Sequence, residues 1–135
     1  IDIFSWINKI MAGDAAGAVR GLDVLRGEGM DVVPINLLLA MGFRQLASAA
    51  AMKARTGNAA AAVEAARIHK ANQGPYTKAV ERASANQVLG WLRRCAQIDA
   101  LAKSSGGQPQ AWEELLTLIV AASGAAKRKA ATARR

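Results

Sequence analysis

Alanine supplies 31 of the 135 residues and constrains the fold of this chain more than any other feature. Alanine is the strongest helix former, whereas the β-branched residues that favour strands are sparse. No segment shows the alternation of apolar and polar residues, bounded by turns, that marks a half-buried strand. The larger apolar residues, which include 12 Leu, 8 Ile and 8 Val, suffice for one modest core. The sequence therefore predicts one all-α domain.

Capping residues, glycines and prolines divide the chain into about six or seven helices, which we expect to pack as a compact orthogonal bundle. Asp2 and Asp14 are suitable N-caps for the first two helices, predicted over about 3–11 and 15–28, and Gly13 separates them. The boundaries at this end of the chain are therefore predicted from local signals alone.

The later helices are marked by prolines and by a capping box. Pro34 suits the first turn of a long third helix reaching about Arg55, which two short helices follow, the second ending near Ala83. Ser84 and Gln87 have the spacing at which each side chain accepts a hydrogen bond from a backbone N–H of the other residue. Pro109 opens the last helix. These signals complete the predicted bundle.

Apolar residues at spacings of three and four define the face that each helix is expected to bury. In the first helix this face consists of Ile3, Phe4, Ile7, Ile10 and Met11. In the later helices the predicted core consists of Leu22, Leu25, Leu38, Leu46, Val88, Trp91, Leu92, Cys95, Ile98, Trp112, Leu115, Leu116 and Ile119.

The formal charge of +8 is unevenly distributed along the chain. Residues 1–126 hold 13 basic and 10 acidic residues, a net charge of +3, and the last nine residues hold five basic residues and no acid. We therefore divide the chain into a helical domain, 1–124, and a basic tail, 125–135, which has nothing to bury and is expected to be disordered in isolation. The tail residues that could contact phosphates are Lys127, Arg128, Lys129, Arg134 and Arg135.

Few residues are available for chemistry. One cysteine, Cys95, and one histidine, His69, exclude an internal disulfide framework and a multi-Cys or paired-His metal site. Cys95 lies on an apolar stripe and is expected to be a buried, inert thiol. Glu113 and Glu114 are expected in the first turn of the last helix, where they complement the helix dipole. No nucleotide-binding loop, catalytic set or cofactor site can be assembled, so we expect no enzyme activity from this chain.

Neither a membrane span nor a secretion signal is predicted. No run without charge is longer than Val32 to Phe43, which is too short and too interrupted by polar and proline residues to cross a bilayer. The chain begins at Ile1, inside an apparent helix, and we interpret it as a fragment of a longer protein.

Several short motifs follow one another in the first half of the chain. They are Ile3-Phe4-Ser5-Trp6-Ile7, Met11-x-Gly13, Ala18-Val19, Leu25-Arg26, Glu28-Gly29, Ile35, Leu37-Leu38 and Arg44-Gln45. Their order resembles the start of the C-terminal domain of the delta subunit of bacterial DNA polymerase III. That family has an aromatic-rich entry, a helix that ends in Leu-x-x-Glu-Gly, and a long leucine-rich helix with Arg-Gln near its middle.

The second half of the chain is similar to the final helices of the same family. The matching residues are His69-Lys70, Pro75-Tyr76, Ala79, Arg82-Ala83, Ser84-x-x-Gln87-Val88, Ala96-x-x-Asp99-x-x-Ala102-Lys103 and Ala111-Trp112-Glu113-x-Leu115. The resemblance covers about residues 3–124, and it rests on order and spacing rather than on one diagnostic motif. The alanine-rich segment 59–66, the loop 104–108 and the basic tail depart from the family pattern.

The resemblance implies an assembly role. In this family the C-terminal domain joins those of the other clamp-loader subunits, gamma or tau and delta-prime, in a ring called the collar. The parent subunit belongs to the DNA polymerase III holoenzyme, a DNA-directed DNA polymerase, but is not itself an ATPase. The C-terminal domain itself is implied to meet the sliding clamp and DNA only through the parent complex, in the bacterial cytoplasm. No cofactor and no membrane are implied.

Two other functions stay open at the level of sequence. The first is a small basic helical protein that binds nucleic acid through the tail, which predicts salt-dependent DNA binding that is lost when residues 125–135 are deleted. The second is a small helical enzyme, for which the sequence offers no nucleophile–base pair and no metal set.

Overall fold

The computed structural model describes residues 1–124, and no strand occurs among them. The predicted all-α bundle of about six or seven helices is therefore confirmed. The predicted tail, including Lys127, Arg128, Lys129, Arg134 and Arg135, lies outside the described residues. The helices are α1 (Ile3–Ala12), α2 (Ala15–Gly27), α3 (Val32–Thr56), α4 (Ala59–Ala65), α5 (Gln73–Arg82), α6 (Ala85–Lys103) and α7 (Gln108–Ala122), with a 3₁₀ turn at Lys70–Asn72 before α5.

Most helix ends follow the local signals. The Asp2 carboxylate accepts a hydrogen bond from the backbone N–H of Phe4, and Gly13 ends α1 with a left-handed φ of 86°. Both hydrogen bonds of the capping box between Ser84 and Gln87 are present at the start of α6. The start of α3 agrees with the prediction, because the helix begins at Val32 and Pro34 lies within its first turn. A proline is tolerated there, since the first backbone N–H groups of a helix have no partner within the helix.

The long helix α3 lies at the centre of the packing. It contacts α4, α5, α6 and α7, most extensively α6. At 25 residues it is long and apolar enough to cross a membrane, which the shorter charge-free run did not suggest. Half of its most apolar 18-residue window is nevertheless buried inside the bundle. This burial is what a core helix requires, and a core helix meets the same criteria of length and composition.

The core joins all seven helices. Within the predicted set, Leu38, Trp91, Leu92 and Trp112 are partly buried and pack against the core. The side chains from this set that are buried are Leu22, Leu25, Leu46, Val88, Cys95, Ile98, Leu115 and Ile119.

Two predicted core positions are wrong. Leu116 is 40% exposed, and the buried face of α7 carries Leu118 instead. Phe4 is 56% exposed, and the fully buried aromatic residue of α1 is Trp6. Both helices carry apolar residues on more than one side, so spacing alone does not determine which side faces the core. In α1 the deciding contact is the Trp6 indole N–H, which donates to the carbonyl oxygen of Ala18 in α2 at 2.8 Å.

The acidic pair Glu113 and Glu114 also lies elsewhere than predicted. Because α7 begins at Gln108, its first turn contains no acidic residue, and the pair falls in the second turn. The favourable effect of a helix dipole falls off within the first turn, so these two carboxylates do not cap α7.

Candidate assembly surface

The outer face of α3 exposes two large apolar side chains one turn apart. Leu37 is 55% exposed and Met41 is 52% exposed. Three consecutive leucines, at positions 37–39, together cover about 200° of the helix circumference, so a single core-facing stripe cannot bury all of them. The sequence therefore contained a signal for this exposed face, which the core prediction did not use.

Met41 lines a groove of about 460 Å³ between α1, α3 and α5, which we call the α1–α3–α5 groove. Phe4, Leu38 and Tyr76 also line it. Gly42 allows Tyr76 to pack closely on α3, because a Cβ atom at that position would lie 3.0 Å from the Tyr76 hydroxyl oxygen. The groove is predominantly apolar and open to one side of the domain.

Leu37 lines a second groove, of about 420 Å³, between α3 and α6, which we call the α3–α6 groove. Its wall includes the buried Asn36, whose amide Nδ2 donates to the carbonyl oxygen of Cys95 at 2.8 Å and ties α3 to α6. Asp99 and Lys103 also line it and form an ion pair across one helix turn, with 2.9 Å between Oδ2 and Nζ.

The two grooves belong to one continuous face. Arg44 lines both of them, and Leu37 and Met41 are neighbours on the same side of α3. We define the α3 surface as Leu37 and Met41 with the two grooves that they line. It combines exposed apolar side chains with a cation, a composition found at protein–protein interfaces, where aromatic residues, Met and Arg are enriched.

A separate groove of about 500 Å³ lies between α2 and α7, and we call it the α2–α7 surface. Val19 and Leu116 line it and are more than a third exposed. The guanidinium carbon of Arg26 stands 4.6 Å from the centroid of the Trp112 ring, a cation–π contact. None of its lining residues lines either groove of the α3 surface. The domain therefore presents two distinct partly apolar surfaces.

The described residues that could carry chemistry are dispersed. Burial raises the pKa of the Cys95 thiol to about 12, with opposing effects from Arg44 and Arg94, so the sulfur is protonated at neutral pH. His69 is exposed, and its Nδ1 accepts a hydrogen bond from the backbone N–H of Ala71. Within residues 1–124 there is no group of three or more His, Cys, Asp or Glu side chains that could hold a metal ion.

Burial of two weak acids predicts a loss of stability at alkaline pH. The pKa of Cys95 rises from 9.0 to about 12 and that of Tyr76 from 10.0 to about 12, both because burial disfavours the charged form. Between those limits only the unfolded chain loses these protons, so the stabilisation present below pH 9 is lost as the pH rises toward 12. We expect the free energy of unfolding to fall by about 1 kcal/mol from pH 8 to pH 10 through Cys95 alone.

Urea titrations across this pH range measure the effect. Cys95→Ala should be less stable at pH 8 because of the lost volume, but its stability should fall less steeply with pH. Equal pH slopes for Cys95→Ala and the unaltered chain would contradict the assignment to this thiol.

Comparison with known proteins identifies one similarity. Residues 1–120 match the family described as DNA polymerase III delta subunit, C-terminal domain. No curated protein and no solved structure matches the chain. The matched range contains α1 to α6 and most of α7, and therefore every residue named above on the α3 surface and on the α2–α7 surface.

Proposed function

Because the chain belongs to the family of C-terminal domains of the DNA polymerase III delta subunit, we propose that it is the collar domain of a clamp loader. In this role it joins the C-terminal domains of the gamma or tau and delta-prime subunits in a pentameric ring. It positions its parent subunit, so that ATP-driven changes elsewhere in the complex reach the element that opens the sliding clamp.

The observation that carries this proposal is the α3 surface. Isolated exposed apolar residues are common, but here two half-exposed side chains one helix turn apart border two grooves, the first of which is predominantly apolar. Covering the exposed half of a Leu or Met side chain contributes roughly 1 kcal/mol. A partner subunit that binds the α3 surface would bury these side chains.

A closed ring with different neighbours needs two different contact surfaces on each subunit. The α3 surface and the α2–α7 surface have no lining residue in common and are built from different helices. We assign one to each neighbour in the ring. On this proposal the domain catalyses no reaction, and its parent acts in the cytoplasm as a non-ATPase subunit of the polymerase holoenzyme.

Size-exclusion chromatography with the gamma and delta-prime subunits tests the proposal. The chain should co-elute with them at micromolar concentration. Met41→Glu should weaken this association about tenfold or more, because the substitution removes apolar contact and places a carboxylate where water is excluded. Glutamate is a good helix former, so α3 itself should tolerate the change.

Val24→Glu provides a matched control. Val24 is 46% exposed on α2 and lines none of the three grooves, so its substitution should leave co-elution unchanged. Thermal melts should show both variants folded. Absence of co-elution with either partner, or equal weakening by Met41→Glu and Val24→Glu, would count against the proposal.

A further inference from the structure

The net charge of the described domain is concentrated in one stretch of the chain. Residues 53–82, from the last turn of α3 to the end of α5, contain six basic and two acidic residues. The remainder of residues 1–124 contains seven basic and eight acidic residues. The net charge of +3 therefore arises from residues 53–82, whose net charge is +4, while the rest of the domain is nearly neutral.

Four of the six basic side chains in this stretch are exposed and unengaged. Lys53 donates to the carbonyl oxygen of Val80, and Arg82 donates to carbonyl oxygens of α1 and α7. The others make no side-chain hydrogen bond, and the two ion pairs among the described residues lie elsewhere. We call these four residues the basic end of the domain: Arg55, Arg67, Lys70 and Lys78.

The elements that carry the basic end pack against one another. α4 packs against both α3, which ends just after Arg55, and α5, which carries Lys78. Arg67 and Lys70 are three residues apart in the connection between α4 and α5, and so lie within about 11 Å of each other along the backbone. The buried Ile68 anchors that connection, and the Gln73 amide donates to its carbonyl oxygen at 3.0 Å.

Arg67 occupies a position that normally carries glycine. Its φ is 60°, and it is the one residue other than glycine with a positive φ among those described. The backbone N–H groups of Arg67 and Ile68 bond back to carbonyl oxygens of α4, as in a helix end that turns through a left-handed residue. Glycine adopts this conformation without steric cost, whereas arginine does not. Position 67 therefore carries a cationic side chain although its backbone conformation favours glycine.

We infer that the basic end binds the phosphate backbone of nucleic acid, independently of the tail and of the collar contacts proposed above. Exposed Arg and Lys side chains without acidic partners neutralise phosphates and release counterions. The one Phe, Trp or Tyr residue in this stretch, Tyr76, is buried and cannot stack on bases. The contact is therefore with the backbone and not specific for sequence.

Fluorescence anisotropy with a short labelled DNA duplex, across a series of salt concentrations, tests this inference. The protein should be the full chain with all five basic tail residues changed to Gln, so that only the domain contributes. We expect salt-dependent binding by this protein. The further changes Arg67→Gly and Lys70→Gln should weaken binding about tenfold at low salt and reduce the slope of log affinity against log salt by about two.

Two comparisons separate binding from structural effects. Arg67→Gly relieves the backbone strain, so the melting temperature should not fall. If Arg67 had only a structural role, its replacement would leave the affinity for DNA unchanged. Arg20→Gln with Arg93→Gln removes the same charge from exposed positions outside the basic end, and should have the smaller effect. Lack of binding by the tail-neutralised chain, equal weakening by the two pairs of changes, or binding to anionic vesicles but not to the duplex would overturn the inference.

Discussion

Replacement of Arg82 by methionine should lower the free energy of unfolding by about 3 kcal/mol, although the residue is only partly buried. Its Nη1 donates to the carbonyl oxygen of Met11 at 2.6 Å, and its Nη2 donates to those of Ile10 and Ala122, both at 2.8 Å. All three carbonyls lie at helix C-termini, where the last carbonyls have no partner within the helix and the dipole favours a cation. One guanidinium therefore ties α5 to the ends of α1 and α7.

Two substitutions test whether this geometry causes the stabilisation. Arg82→Lys keeps the charge but presents one ammonium group instead of a planar fork, so it should recover only part of the stability. Arg93→Met removes an exposed arginine from α6 and should change the free energy by less than about 0.5 kcal/mol. Chemical denaturation gives all three values. Full recovery by lysine would show that charge alone, rather than the three hydrogen bonds, stabilises these helix ends.

Features that depend on neighbouring residues could be predicted from the sequence. Gly13 and the pair Ser84 and Gln87 mark helix ends through hydrogen bonds that reach at most a few residues along the chain. The role of Arg82 could not be predicted in this way, because its acceptors Ile10 and Met11 lie 72 and 71 residues away. Arg82 is among the residues that resemble the family pattern, but the resemblance gave no reason for its presence.

The second feature that could not be predicted from the sequence is the side of each helix that faces the core. In α7 the sequence offers both Leu116 and Leu118, and the packing of α7 against α2 and α6 buries only the second. An alanine-rich helix makes this choice hard to predict, because small side chains allow close packing on several sides. The same ambiguity hid the α2–α7 surface, since Leu116 was assigned to the core.

A second large loss of stability is expected on substitution of Trp6, the fully buried aromatic residue of α1. Trp6→Ala should lower the free energy of unfolding by about 3–5 kcal/mol, because it leaves a large cavity between α1 and α2. It also removes the hydrogen bond from the indole N–H to the Ala18 carbonyl. Trp112→Ala is the matched control: that indole is only partly buried and should cost clearly less. Guanidinium unfolding followed by far-UV circular dichroism avoids the change in tryptophan fluorescence.

Gly21 provides an independent test that this cost arises from the contact between α1 and α2. A Cβ atom on Gly21 would lie 2.5 Å from Cδ1 of Trp6, so Gly21→Ala should destabilise the unaltered chain by about 1–3 kcal/mol through overpacking. In the Trp6→Ala background the added methyl group enters the vacated space, and the two costs should not add. Gly27→Ala, where nothing lies within 4 Å of the added Cβ, should cost little in either background. If Gly21→Ala lowered the free energy of unfolding equally with and without Trp6, the glycine would not be needed for the close approach of this indole. The packing of α1 on α2 would then need another explanation.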